Sequence, residues 1–155
     1  MMDIHKHNRI VKKLKEVYGD FSNLKTNNDN LNTRIYADLD SFNNEQKLEL
    51  LDDELPILDC KLKNGNYLLA TTKSLYSIYN GISYTMLYSD FSKIDRTYFF
   101  ENGQLAEGKT RVFRYFLKKG DDFLYEIDSF YPADIVHNRL VLSMRFGKYD
   151  SPAGV

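Results

Sequence analysis

Between residues 56 and 147 the apolar positions fall into seven short runs separated by turn residues, followed by one longer run with helical spacing. The first run alternates Leu58, Cys60 and Leu62 with Asp59, Lys61 and Lys63, the period of a half-buried strand, which points the Cys60 thiol inward. Asn64-Gly65 leads into the second run at 67–71, and Asn80-Gly81 joins the third run at 75–79 to the fourth at 82–88. Both dipeptides predict two-residue hairpins, because both of their positions tolerate positive φ. Ser89-Asp90 opens a fifth run that takes in Phe91, Ile94 and residues 98–100, and the sixth and seventh lie at 112–117 and 123–127 around Lys119-Gly120-Asp121. After these strands, Ile135, Val136, Leu140, Val141 and Met144 form one apolar stripe between Pro132, at the first helical position, and Gly147.

One helix cannot cover seven strands laid out as an open layer. The order therefore predicts a curved or barrel-like antiparallel sheet whose open end is closed by the C-terminal helix, an α+β fold. Upstream, Ile4, Val11, Leu14 and Tyr18 repeat at helical spacings between Asp3 and Gly19, which predicts an amphipathic helix over 3–18 that docks by its apolar face. The polar stretch 22–33 reads as a loop, and Arg34 to Ala37 as a short strand. Ser41 as N-cap, Phe42, Leu48, Leu51 and Leu55 at helical intervals, and Pro56 as a stop predict a second helix over 41–55. The expected organisation is an N-terminal helical extension over 1–52, a domain over 53–147 and a mobile tail over 148–155.

Composition narrows the class. With 155 residues, 43% hydrophobic and 28% charged, the chain has the make-up of one folded unit. Twelve Tyr and ten Phe supply the large rings in the absence of Trp. A lone cysteine excludes an intrachain disulfide, no run is long enough to span a membrane, and the first residues lack a secretory apolar stretch. A reducing cytoplasm is the expected location. Net charge is only −1, but residues 26–59 hold two Lys/Arg against nine Asp/Glu, a local −7.

Chemistry is sparse. His5 and His7 lie two apart on a helix and so face different directions, a poor metal site that reads as solvated surface. Asp38-Leu39-Asp40 lacks the glycine of a calcium loop, and its carboxylates read as cap and turn residues. Cys60 with His137 lacks an orienting third group. On the strand at 112–117, Phe113, Tyr115 and Leu117 fall on one face and Val112, Arg114 and Phe116 on the other, which predicts a core strand and not a nucleic-acid platform. No phosphate loop and no nucleophile elbow are present.

Asp53-Glu54-Leu55-Pro56, Thr71-Thr72-Lys73-Ser74-Leu75-Tyr76 and Asp90-Phe91-Ser92-Lys93-Ile94, set among seven strands and a final helix, resemble the bacterial versions of the pleckstrin-homology-like (PH/GRAM-like) superfold over residues 53–147. The resemblance implies a non-catalytic binding module that needs no cofactor or metal. Two binding surfaces are expected. The acidic residues Asp38, Asp40, Glu45, Glu49, Asp52 and Asp53 suit a basic protein partner, in the specific form an immunity-type protein that neutralises a cognate toxin. Lys61, Lys63 and Lys73, beside the first hairpin, are the alternative contacts, for anionic lipid at a membrane surface. An enzymatic alternative requires Asp38, Asp40 or His137 in a cleft with shifted proton affinity.

Overall fold

The computed structural model describes residues 4–21, 24, 31–98 and 109–150. The elements run α1 (Ile4–Tyr18), β1 (Thr33–Ile35), β2 (Pro56–Lys61), β3 (Tyr67–Thr71), β4 (Ser74–Tyr79), β5 (Ile82–Leu87), β6 (Phe91–Ile94), β7 (Thr110–Leu117), β8 (Asp122–Asp128) and a C-terminal helix, α2, over residues 131–144. Seven strands form in the expected order, but the fifth of them, β6, ends at Ile94: Tyr98 is in a helical turn, and residues 99–100 lie outside the described residues. The sheet does not, however, close into a single barrel. Two antiparallel sheets form instead, one of five strands in the order β1-β2-β3-β4-β5 and one of three in the order β6-β7-β8. The break falls where Tyr88–Asp90 makes a turn of 3-10 helix between β5 and β6.

The inner faces of the two sheets and the apolar stripes of both helices share one core. Leu58 and Cys60 from β2, Leu68 and Ala70 from β3, Phe113, Tyr115 and Leu117 from β7, and Phe123, Tyr125 and Ile127 from β8 are all buried there. Leu140, Val141 and Met144 of α2 and Ile10, Leu14 and Tyr18 of α1 join them. The Tyr18 hydroxyl donates to Asp134 and its ring sits edge-on to Tyr131, 5.0 Å between centroids, which ties the end of α1 to the start of α2. Lys6 and Arg9 of α1 reach Asp150 and the Tyr149 carbonyl. His7, expected on the surface, is buried, and its Nε2 donates to the Tyr36 carbonyl at 2.8 Å. That ring satisfies backbone just past β1.

Of the two expected hairpins, Asn80-Gly81 takes the two-residue form, with φ of 50° and 80° and Tyr79 paired to Ile82. Asn64-Gly65 does not. Gly65 N–H donates to the Leu62 carbonyl, Leu62 N–H to the Asn66 carbonyl, and only Gly65 has positive φ, so the loop is one residue longer and ends in a glycine bulge.

The second N-terminal helix does not form. Residues 42–55 run as an irregular strap across the outer face of the five-stranded sheet, where Phe42, Leu48 and Leu50 cover Tyr67, Leu69, Tyr76 and Ile78. The reason lies in β3, whose run Tyr67-Leu68-Leu69-Ala70-Thr71 is buried on both sides and so needs cover on both. Helical spacing in 41–55 loses to that demand: Leu51, counted in the helical stripe, stays 47% exposed. Asn44 pins the strap by accepting from Leu48 N–H and donating to the Leu48 carbonyl. Lys47 bends it with a φ of 53°. Glu54 anchors its far end. This carboxylate, only 5% exposed, accepts from Leu51 N–H at 2.6 Å, from Thr71 Oγ1 at 2.6 Å and from the Tyr76 hydroxyl.

In α2 the bonding changes pitch. Residues 131–134 are α-helical, Ile135–Val141 winds with i→i+5 bonds, and Leu142–Met144 returns to α. Leu142 N–H donates to the His137 carbonyl. The sequence suits this winding, because Ile135-Val136 and Leu140-Val141 are apolar pairs five apart, and the wider turn brings both pairs onto one face.

Candidate functional site

The sequence-derived site residues separate into two groups once placed. Glu49 and Asp52 are exposed on the strap and Asp38 and Asp40 on the turn just before it, and none of the four forms an ion pair among the described residues. Asp38 also caps the short turn Leu39–Ser41, accepting from Asp40 N–H at 3.0 Å. Glu45 and Asp53 are engaged: Glu45 bonds Lys61 at 2.9 Å and Asp53 bonds Lys73 at 2.6 Å. The cation beside each of these carboxylates holds it below its usual pKa. The acidic strap thus meets two of the three lysines expected to touch lipid, and Lys63 is exposed at the β2–β3 turn. The two expected surfaces adjoin and partly neutralise each other.

Cys60 and His137 have different surroundings. Cys60 Sγ donates to Asp128 at 3.8 Å, and burial, with the nearby Asp128 charge, pushes its thiol pKa far up, so it packs as an inert group. His137 sits on the widely wound part of α2 and belongs to a polar thread through the apolar core. Its Nδ1 lies 2.7 Å from the Tyr115 hydroxyl, which lies 2.6 Å from the Tyr125 hydroxyl. Phe113 stacks on the imidazole at 5.4 Å and on Tyr125 at 4.9 Å. Both tyrosines are fully buried, so each finds in the thread the partner that burial demands. Alternation on β7 and β8 puts Tyr115 and Tyr125 inside, but nothing in the sequence aligns them with a histidine twelve residues beyond Tyr125. Asp38 and Asp40, the carboxylates considered with His137 in the enzymatic alternative, line neither of the clefts that His137 lines.

Burial lowers the His137 pKa to about 4, chiefly by desolvating the cation, with Arg145 acting the same way and Asp134 opposing. The ring is neutral at pH 7. Between pH 6.5 and 4 the unfolded chain binds this proton and the folded chain does not, so stability, complete above that window, falls by on the order of 3 kcal/mol as the pH drops through it. In His137→Gln this part of the acid dependence disappears. Denaturant melts at intervals from pH 7 to 4 should show the gap between wild type and variant narrowing as the pH falls; a constant gap excludes the assignment.

His137 divides two clefts. The smaller, about 260 Å³, lies toward Phe130 and Asn138. The larger, about 670 Å³, lies between β6, the turn at 95–97 and the end of α2. Among the described residues no group of three or more His, Cys, Asp or Glu is arranged to hold a metal ion, and no helix is long and apolar enough to cross a membrane. No protein-family model matches the chain, and neither does any curated protein or solved structure.

Proposed function

We propose that this chain is a non-catalytic, PH-like binding module that recognises a basic protein through the acidic strap, in the specific form an immunity-type protein set against a cognate toxin. The observation that carries the reading is the strap itself. Glu49 and Asp52 stand exposed on a segment held to the sheet by Phe42, Leu48, Leu50 and the buried Glu54, Asp38 and Asp40 stand on the turn that leads into it, and none of the four has an ion-pair partner among the described residues. A charged surface on a fixed backbone meets its partner with little ordering cost and speeds encounter with a cationic one. The unbroken series β2 to β8 followed by α2 supports the PH-like part of the reading. The lipid alternative has less support, because Lys61 and Lys73 already bond Glu45 and Asp53.

Charge reversal tests the proposal. Asp40, Glu49 and Asp52 are exposed and cap no helix, so replacing all three by Lys should shift stability by only about 0.5 kcal/mol per site. Asp38 is left in place because its capping bond is worth about 1 kcal/mol. Wild type used as bait in its native lysate should retain a basic protein in a salt-sensitive manner, and the folded triple variant should not. Equal retention by both proteins, or retention insensitive to salt, rejects the acidic strap as the docking surface.

A further inference from the structure

The larger cleft beside His137 has a charge pattern opposite to that of the strap. It is lined by Ile94, Phe116 and Leu142 and by three cations, Lys93, Arg96 and Arg145. Asp95, the one carboxylate among the described lining residues, is already engaged: Arg114 Nη1 donates to it at 2.8 Å, and it accepts from Tyr98 N–H at 3.2 Å. Lys93, Arg96 and Arg145 form no ion pair among the described residues. In a chain of net charge −1, three cations with no ion pair among the described residues therefore share one concave, partly apolar surface.

Arg145 is the most built of the three. Its guanidinium lies 4.7 Å from the Phe146 ring centroid and 5.8 Å from that of Phe91. Its Nε is buried with no hydrogen-bond partner, a donor left unanswered. Lys93 Nζ stands 5.6 Å from the Phe116 ring centroid, and so holds its charge beside an aromatic face. Cations beside flat rings suit a ligand with an anionic group on a ring or other flat apolar body. Two guanidinium forks and an ammonium match a phosphate ester, which carries up to two negative charges and three acceptor oxygens, better than a single carboxylate.

We propose that this cleft binds a small soluble phosphate ester, its phosphate taken by Lys93, Arg96 and Arg145 and its body laid over Phe116 and Leu142. The site is independent of the strap, so either can be lost while the other stands. The probes are adenosine 5′-monophosphate, inorganic phosphate and adenosine, titrated into the full chain and followed by amide chemical shifts. Adenosine monophosphate should produce saturable shifts in residues 91–97 and 137–146, inorganic phosphate weaker shifts at the same places, and adenosine none. The double variant Lys93→Ala/Arg96→Ala alters only exposed side chains, so its fold is retained, and its affinity for adenosine monophosphate should be roughly tenfold lower or worse. Raising the salt should weaken wild-type binding. Absence of saturable shifts with either phosphate, equal affinity in the double variant, or retention only on vesicles of phosphatidylcholine containing phosphatidylinositol 4-phosphate each overturns the proposal.

Discussion

Asp128→Ala is expected to lower the unfolding free energy by about 4 kcal/mol. Asp128 is fully buried at the end of β8, in the three-stranded sheet, yet its partners stand at the edge of the five-stranded one. It accepts from Asn32 N–H at 2.8 Å, from Asn32 Nδ2 at 3.1 Å, from Thr33 Oγ1 at 2.8 Å and from the Cys60 thiol. Alanine leaves these donors in a dry seam with nothing to accept them. Asparagine does little better, since its NH₂ turns a donor toward donors. The predicted order of stability in chemical denaturation is wild type, then Asp128→Asn, then Asp128→Ala, and hydrogen exchange should show β1 released before the rest of the sheet. An alanine variant within about 1 kcal/mol of wild type would show that the seam is wet and the inter-sheet bridge unimportant.

Glu54→Ala should cost about 3 kcal/mol, and its effect should centre on the strap. Thr71 Oγ1 accepts from Lys73 N–H and Ser74 N–H and donates its one proton to Glu54 at 2.6 Å, with the Ser74 carbonyl a longer acceptor at 3.3 Å. Tyr76 donates to the same carboxylate, and burial together with that carboxylate raises the Tyr76 pKa well above its usual value. Glutamine offers one acceptor where the site needs two and so recovers only part of the loss. Faster amide exchange in residues 42–55 with α2 unchanged is the expected signature. Uniform loss of protection across both sheets would instead make the strap part of the global unfolding unit.

These two carboxylates mark where sequence reading stops. Strands β2 to β8 were legible because short apolar runs between turn signals such as Asn80-Gly81 are local, although the half-buried alternation expected of β2 does not hold: Asp59, placed on the wet face, is buried and accepts from the Tyr67 hydroxyl at 2.9 Å. The helix α1 was legible for the same reason, in the period of Ile10, Leu14 and Tyr18. The strap was not. Phe42 and Leu48 suit a helical stripe as well as they suit the outer face of β3 and β4, and the choice is made by a sheet that the local pattern does not contain. A hint was present in Tyr67-Leu68-Leu69, which is too apolar for a strand with one wet face. The parting of the strands into sheets of five and three depends on contacts between distant residues, and Asp128 with Thr33 is such a contact. The cationic cleft was hidden because Lys93, Arg96 and Arg145 are scattered along the chain, and only the packing of α2 beside β6 gathers them.

The wide winding of α2 has a bearing on heredity. A turn closed by i→i+5 bonds contains one residue more than an α-helical turn, so loss of a single codon within 136–140 would leave a helix that still forms and still follows β8. The shortened turn would close with i→i+4 bonds, and the side chains after the deletion would keep their direction about the axis. Met144 would keep its place in the core and Arg145 its place beside Phe91. Tolerance of a single-codon deletion should therefore be higher in this stretch than within the regular α1, where loss of one residue turns everything after it by about 100°.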